Sequence, residues 1–142
     1  MAFWDSSAIV PLCVYQQNSV IARRLSRKFR EKFAWQAYVV EVSSALARLQ
    51  REGLIDATKH QLFQDRLIRL EAKFIVISEH DRIIELARTF PSLYGLKAMD
   101  SLQLAAALVW CKEYPNRKDF VSADERLLEA AESAGFTVHG LS

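Results

Sequence analysis

Stretches with a helical apolar period alternate with very short apolar runs along this whole chain, and that alternation leaves few folds open. Ala2-Phe3-Trp4 reads as a buried strand that closes at Asp5-Ser6-Ser7, residue types that end strands and cap helices. Pro11 lacks a backbone N–H and is best tolerated in a first helical turn, so the regular helix is expected to start later than Ser7, leaving Asp5 and Ser6 near a strand-to-helix turn. Val20, Ile21, Leu25, Phe29 and Phe33 recur at spacings near four, which predicts a helix over 18 to about 33 with a basic opposite face. Val39, Val42, Leu46 and Leu49 predict another over 38–50, with Gly53 as its stop.

Asp56 is placed to cap a helix through Leu62, Phe63, Leu67 and Leu70, after which Phe74-Ile75-Val76-Ile77 has the β-branched, uncharged character of a central strand. A helix over 79–89, a break at Phe90-Pro91-Ser92 and an Ala-rich helix over 98–110 follow. Then come a strand over 119–122, a helix over 124–134 that stops at Gly135, and a last strand over 136–139. Helices alternating with short apolar strands predict an α/β fold, a three-layer α/β/α sandwich around a mostly parallel sheet.

A length of 142 residues, 51% of them hydrophobic and 25% charged, suits one domain over 1–142 with a sizeable core. No linker or repeat divides it. The longest apolar runs fall far short of the roughly 18 residues a membrane span requires, and no charged leader precedes an apolar run, so a soluble chain without a membrane partner is expected. Cys13 and Cys111 are isolated, with no C-x-x-C spacing, and a reducing cytoplasm is their simplest home. The net charge of +2 is unevenly placed: residues 23–32 (RRLSRKFREK) carry +5 and the remainder −3.

In an open α/β sheet the working edge lies beyond the carboxyl ends of the strands. Asp5 and Asp124 both follow predicted strands, so both are expected at that edge. Asp100 opens the Ala-rich helix, with no other charge between Met99 and Trp110, and Glu41 shares the stretch from Ala34 to Leu49 with Arg48 alone. Each acid also has a plain structural reading. An Asp at a helix N-cap accepts backbone N–H bonds and contributes roughly 0.5–2 kcal/mol with no catalytic role. Taken singly, Asp5, Asp100 and Asp124 read as caps and Glu41 as a helix-surface acid.

Taken together, the four sit in segments that resemble the four motifs of PIN-domain nucleases. These are Asp5-Ser6-Ser7-Ala8; Glu41 within Val39-Val40-Glu41-Val42-Ser43-Ser44-Ala45-Leu46; Asp100 within Ala98-Met99-Asp100-Ser101-Leu102-Gln103-Leu104-Ala105; and Phe120-Val121-Ser122-Ala123-Asp124-Glu125-Arg126-Leu127. Their order and their spacings of 36, 59 and 24 residues also look like the family's, over nearly the whole chain. A chain of this length is similar to VapC-type toxins of toxin–antitoxin pairs. Trp4 is bulkier than the aliphatic residue usual before the first Asp, a difference that reads as a packing choice.

The resemblance implies a ribonuclease dependent on Mg²⁺ or Mn²⁺, with Asp5 and Asp100 as direct ligands, Asp124 completing the site, and Glu41 positioning a water or a second ion. Carboxylate oxygens are hard ligands suited to those ions, whereas zinc would want His or Cys at recognisable spacing, and His60, His80 and His139 are scattered. Several like charges in one pocket repel until a cation neutralises them. Ser6 and Ser122 read equally as local caps and as groups that bond a ligand or phosphate. Arg23, Arg27 and Arg30, with Arg24 and Lys28 beside them, form a basic face that either follows RNA phosphates or is simply solvated. Lys97 and Arg126 are alternative phosphate anchors, while Tyr94 and Trp110 favour packing over base stacking. The resemblance further implies a homodimer and a VapB-like antitoxin partner. The alternatives are an RNA-processing nuclease without an antitoxin, a toxin–antitoxin complex that binds operator DNA through the antitoxin, and a silent scaffold whose acids are only caps.

Overall fold

The computed structural model describes residues 1–142. Its centre is a five-stranded sheet in the order β3-β2-β1-β4-β5, formed by β1 (Ala2–Trp4), β2 (Lys32–Trp35), β3 (Phe74–Ile77), β4 (Asp119–Val121) and β5 (Thr137–His139). Every pairing is parallel. Parallel strands need crossovers, and eight helices supply them: α1 (Ser6–Cys13), α2 (Ser19–Lys28), α3 (Tyr38–Arg51), α4 (Ala57–Glu71), α5 (His80–Ala87), α6 (Phe90–Tyr94), α7 (Ala98–Trp110) and α8 (Glu125–Ala134).

Side chains alternate across the pleat and so feed two separate cores. Ala2, Trp4, Ala34, Phe74 and Val121 join a core with α1 to α4 on one face. Phe3, Trp35, Ile77 and Phe120 join another with α5, α7 and α8 on the opposite face. The fold is therefore the three-layer α/β/α sandwich that the alternation predicts. Trp4 is fully buried and meets Phe74 edge-on at 6.3 Å, so its bulk spans from β1 to the outer strand β3.

Four local expectations are corrected. The helix predicted over 18–33 ends at Lys28, where the Phe29 N–H closes on the Leu25 carbonyl at 2.8 Å, and Lys32–Trp35 is a strand beside β1. Phe29 and Phe33 lie four apart, which here joins a helix end to a strand instead of one helical face. A lysine opening a four-residue strand disguises it further; Lys32 is buried and directs its Nζ to the Arg30 carbonyl at 3.3 Å. The strand β3 is at the edge of the sheet and not in its middle, and Ile75 and Val76 are half exposed.

The helix after β1 starts at Ser6, not later than Ser7, and carries Pro11 as its sixth residue. It ends at Cys13, so only the one bond that Pro11 would donate back to Ser7 is forgone. Phe90-Pro91-Ser92 begins the short helix α6 and is not a break, because Pro91 falls in its first turn, where no N–H is required.

Candidate active site

Sheet order places the site. The chain runs from β1 to β2 on one side and later crosses to β4 on the other, so the direction of winding reverses between β1 and β4. The crevice beyond the carboxyl ends of two such strands is where doubly wound sheets bind ligands. Asp5 follows β1 directly, and Ser122-Ala123-Asp124 follows β4. Glu41 comes from the first turn of α3, after β2, and Asp100 from the first turn of α7.

Asp5 is 3% exposed and held by a local net. Its Oδ2 accepts from the Ser122 hydroxyl at 2.9 Å, from the Ser7 N–H at 3.3 Å and from the Ser7 hydroxyl in a short contact, while its Oδ1 takes no part in these bonds. Ser7 Oγ also accepts from the Ala123 N–H at 2.9 Å, and Ser122 Oγ from the Asp124 N–H at 3.0 Å. The turns after β1 and β4 are thus tied together through two hydroxyls.

Glu41 is held in the same manner. Its Oε1 accepts from Ser6 Oγ at 2.9 Å and from Gln103 Nε2 at 2.7 Å, and Gln103 Nε2 lies 2.7 Å from Ser6 Oγ as well. Gln103 is fully buried, and its own Oε1 has no donor. Asp124 accepts from the Leu127 N–H at 3.0 Å through Oδ1. Asp100 is not a cap: the cap position of α7 is Lys97, which makes no side-chain bond to the helix.

Burial and mutual repulsion act together on Asp5, Glu41 and Asp100. Asp5 is pushed up to about 7, chiefly by burial, with the Ser7 and Ser122 bonds opposing and the charges of Glu41 and Asp100 adding. Burial likewise raises Glu41 against the bonds from Ser6 and Gln103, with Asp100 adding. Asp100 is raised by burial and then by Asp124, with Lys97 opposing. All four acids therefore belong to one electrostatic neighbourhood. No three His, Cys, Asp or Glu side chains are already drawn into ligating positions, so side-chain movement would have to accompany ligation.

The donor set nonetheless fits a hard divalent cation. In Asp5, Glu41 and Asp124 the bonds named all fall on one carboxylate oxygen, which fixes the group and leaves the second oxygen uncommitted. The sequence reading of Asp5 and Asp124 as caps holds as far as it goes, since each accepts a backbone N–H of the following helix. Glu41 and Asp100 have no such duty.

Ser6 and Ser122 face the acids, as described. The row Arg23, Arg27, Arg30 is interrupted, because α2 ends at Lys28 and Arg30 lies beyond it. Arg23 stacks its guanidinium over Tyr15 at 5.5 Å and Lys28 lies over Phe29 at 5.2 Å. Trp110 packs on Phe33 at 5.2 Å and Phe3 at 6.3 Å, while Tyr94 packs on Phe90 at 5.3 Å. Arg126 shares a surface hollow with Tyr94.

Ser7 and Gln103 are the site residues that the acid motifs did not single out. A lone amide in the apolar run of α7, three residues after Asp100 and so on the same helix face, is the signal that points to Gln103. No protein-family model matches the chain, and no curated protein matches it. No helix is long and apolar enough to cross a membrane.

Proposed function

We propose that this chain is a metal-dependent endoribonuclease of the PIN-domain type, the toxin of a toxin–antitoxin pair. The observation that carries the reading is the gathering of four acids from separate elements around the switch point, three of them pinned through one oxygen with the other left uncommitted. In this reading Asp5, Asp100 and Asp124 hold Mg²⁺ or Mn²⁺. The bound ion supplies a water of lowered pKa and a counter-charge for the phosphate and leaving oxygen.

The protein's own groups do the rest. Ser7 and Ser122 orient Asp5, so its charge is presented from a fixed direction. Glu41, raised by burial and steered through Oε1 by Ser6 and Gln103, offers Oε2 to a water and takes its proton as that water attacks the phosphodiester. Arg23 and Arg27, with Arg24 and Lys28, contact RNA phosphates along α2, and Arg30 continues from the loop beyond it. A homodimer and a VapB-like antitoxin belong to the toxin reading. A cytoplasmic setting agrees with two free, buried thiols, Cys13 and Cys111.

The scaffold alternative rests on the cap bonds of Asp5 and Asp124, but gives Glu41 and Asp100 nothing to do. Expression in a bacterial host tests the choice. A toxin arrests growth with loss of intact RNA, and Asp5→Asn abolishes both effects; arrest that survives Asp5→Asn contradicts the proposed site. Relief by a protein encoded beside this chain's gene separates a toxin from a processing nuclease.

A further inference from the structure

A cavity of about 640 Å³ lies beside the turn that carries Asp124. It is walled by Gln16, Gln17 and Asn18 between α1 and α2, by Ile21 of α2, and by Ala123 and Glu125 on either side of Asp124. Its size lies within the range of small-ligand pockets. The four acids do not line it; the link to them runs through Ala123, whose N–H donates to Ser7 Oγ, which in turn bonds Asp5.

Asn18 has no structural duty that accounts for it. It occupies the N-cap position of α2, where an Asn normally accepts a helix N–H, yet it makes no such bond. Its Oδ1 is shut away from solvent without a donor, and a side-chain rotation that brings the amide to a ligand in the cavity would give it a partner. The wall thus combines carboxamides, the Glu125 carboxylate and Ser142 with apolar surface from Ile21, Ala123 and Leu141, a mixture suited to the edge and the face of a nucleobase. Arg24 and Lys28, exposed three and seven residues after Ile21, continue its side of α2 away from the cavity as anchors for further phosphates.

Glu125, exposed on the cavity wall, is the one charged side chain there that could tell the bases apart. A carboxylate accepts from two adjacent donors, which guanine presents through its N1–H and exocyclic amine. Uracil offers one N–H between two carbonyls, which a carboxylate repels. Resting on the ribonuclease reading above, we infer that this cavity is a subsite for one unpaired guanine next to the phosphate that is cut.

The test uses ¹⁵N-labelled full chain in EDTA, which holds RNA uncut, titrated with a short oligouridylate carrying one central guanosine and with the same oligonucleotide lacking it. The guanosine form is expected to move the side-chain amide resonances of Gln16, Gln17 and Asn18 and to bind about tenfold tighter. Glu125→Gln should erase that preference, and Asn18→Ala, which loses no cap bond, should weaken the guanosine form while the fold persists. Equal affinity for the two oligonucleotides, or shifts confined to the backbone of α2, overturns the subsite. Guanosine binding by a protein that cuts no RNA in any metal removes the nuclease reading and leaves the subsite. Cleavage of RNA in Mg²⁺ or Mn²⁺ by a protein that binds the two oligonucleotides equally in EDTA removes the subsite alone.

Discussion

Gln103 Nε2 lies 2.7 Å from Glu41 Oε1, joining the middle of one helix to the first turn of another across the mouth of the site. The same amide nitrogen reaches Ser6, which itself donates to Glu41, so the orientation of this carboxylate depends on a residue that never meets solvent.

Replacing Gln103 by Leu keeps the volume and removes the donor. Stability should change by no more than about 1 kcal/mol, because Ser6 still donates to Glu41 and the buried Oε1 that has no donor leaves with the amide. Glu41 should rise further, because the Gln103 bond is one of the two that hold it down. In the ribonuclease reading, the acid limb of the pH–rate profile then moves to higher pH. An unchanged limb in a folded Gln103→Leu variant contradicts the role given to this pair.

Asp5 makes stability depend on pH in a definite direction. Its carboxyl stands at about 7 in the folded chain against an ordinary value of 3.8, so between about pH 4 and 7 the folded state holds a proton that the unfolded state has lost. In EDTA the contribution of Asp5 is therefore most favourable below about pH 4, declines as pH rises through that window, and is constant above it. Asp5→Asn should be more stable than wild type at pH 8, with the advantage shrinking towards pH 4. Thermal melts of both proteins across this range check it, and a large loss of stability at pH 8 supports the cap reading instead.

Adding Mg²⁺ or Mn²⁺ at neutral pH should raise the melting temperature of wild type. At a hundredfold excess over the dissociation constant the gain is about 2.7 kcal/mol. Asp5→Asn and Asp100→Asn should lose most of this increment. An equal response in wild type and both variants would place the ion elsewhere.

The basic helix is testable through salt. Arg27→Ala should weaken RNA binding at low ionic strength and reduce the slope of log affinity against log salt by about one. A slope that does not change marks this face as solvated and nothing more.

The layer architecture was legible because periodicity reports burial, and both faces of this sheet are covered. The β2 strand was not: its one lysine and the four-residue interval from Phe29 to Phe33 imitate a helix, and only pairing with β1 and β3 reveals it. Edge position is also a pairing property, so Phe74–Ile77 read as central. In the site, the acids were visible as charges in apolar stretches. Ser7 and Gln103 act through neutral donors on groups 115 and 62 residues away; a lone amide in an apolar run marks Gln103, but only the fold supplies the partner of either residue.

The most direct measurement is cleavage of a mixed RNA pool by purified wild type and Asp100→Asn, each with Mg²⁺, Mn²⁺ or EDTA. Asp100 caps no helix, so its substitution removes charge without removing a cap. Cleavage by wild type that EDTA abolishes and Asp100→Asn lacks is the predicted result. Equal cleavage by both proteins, or cleavage that persists in EDTA, would contradict the site.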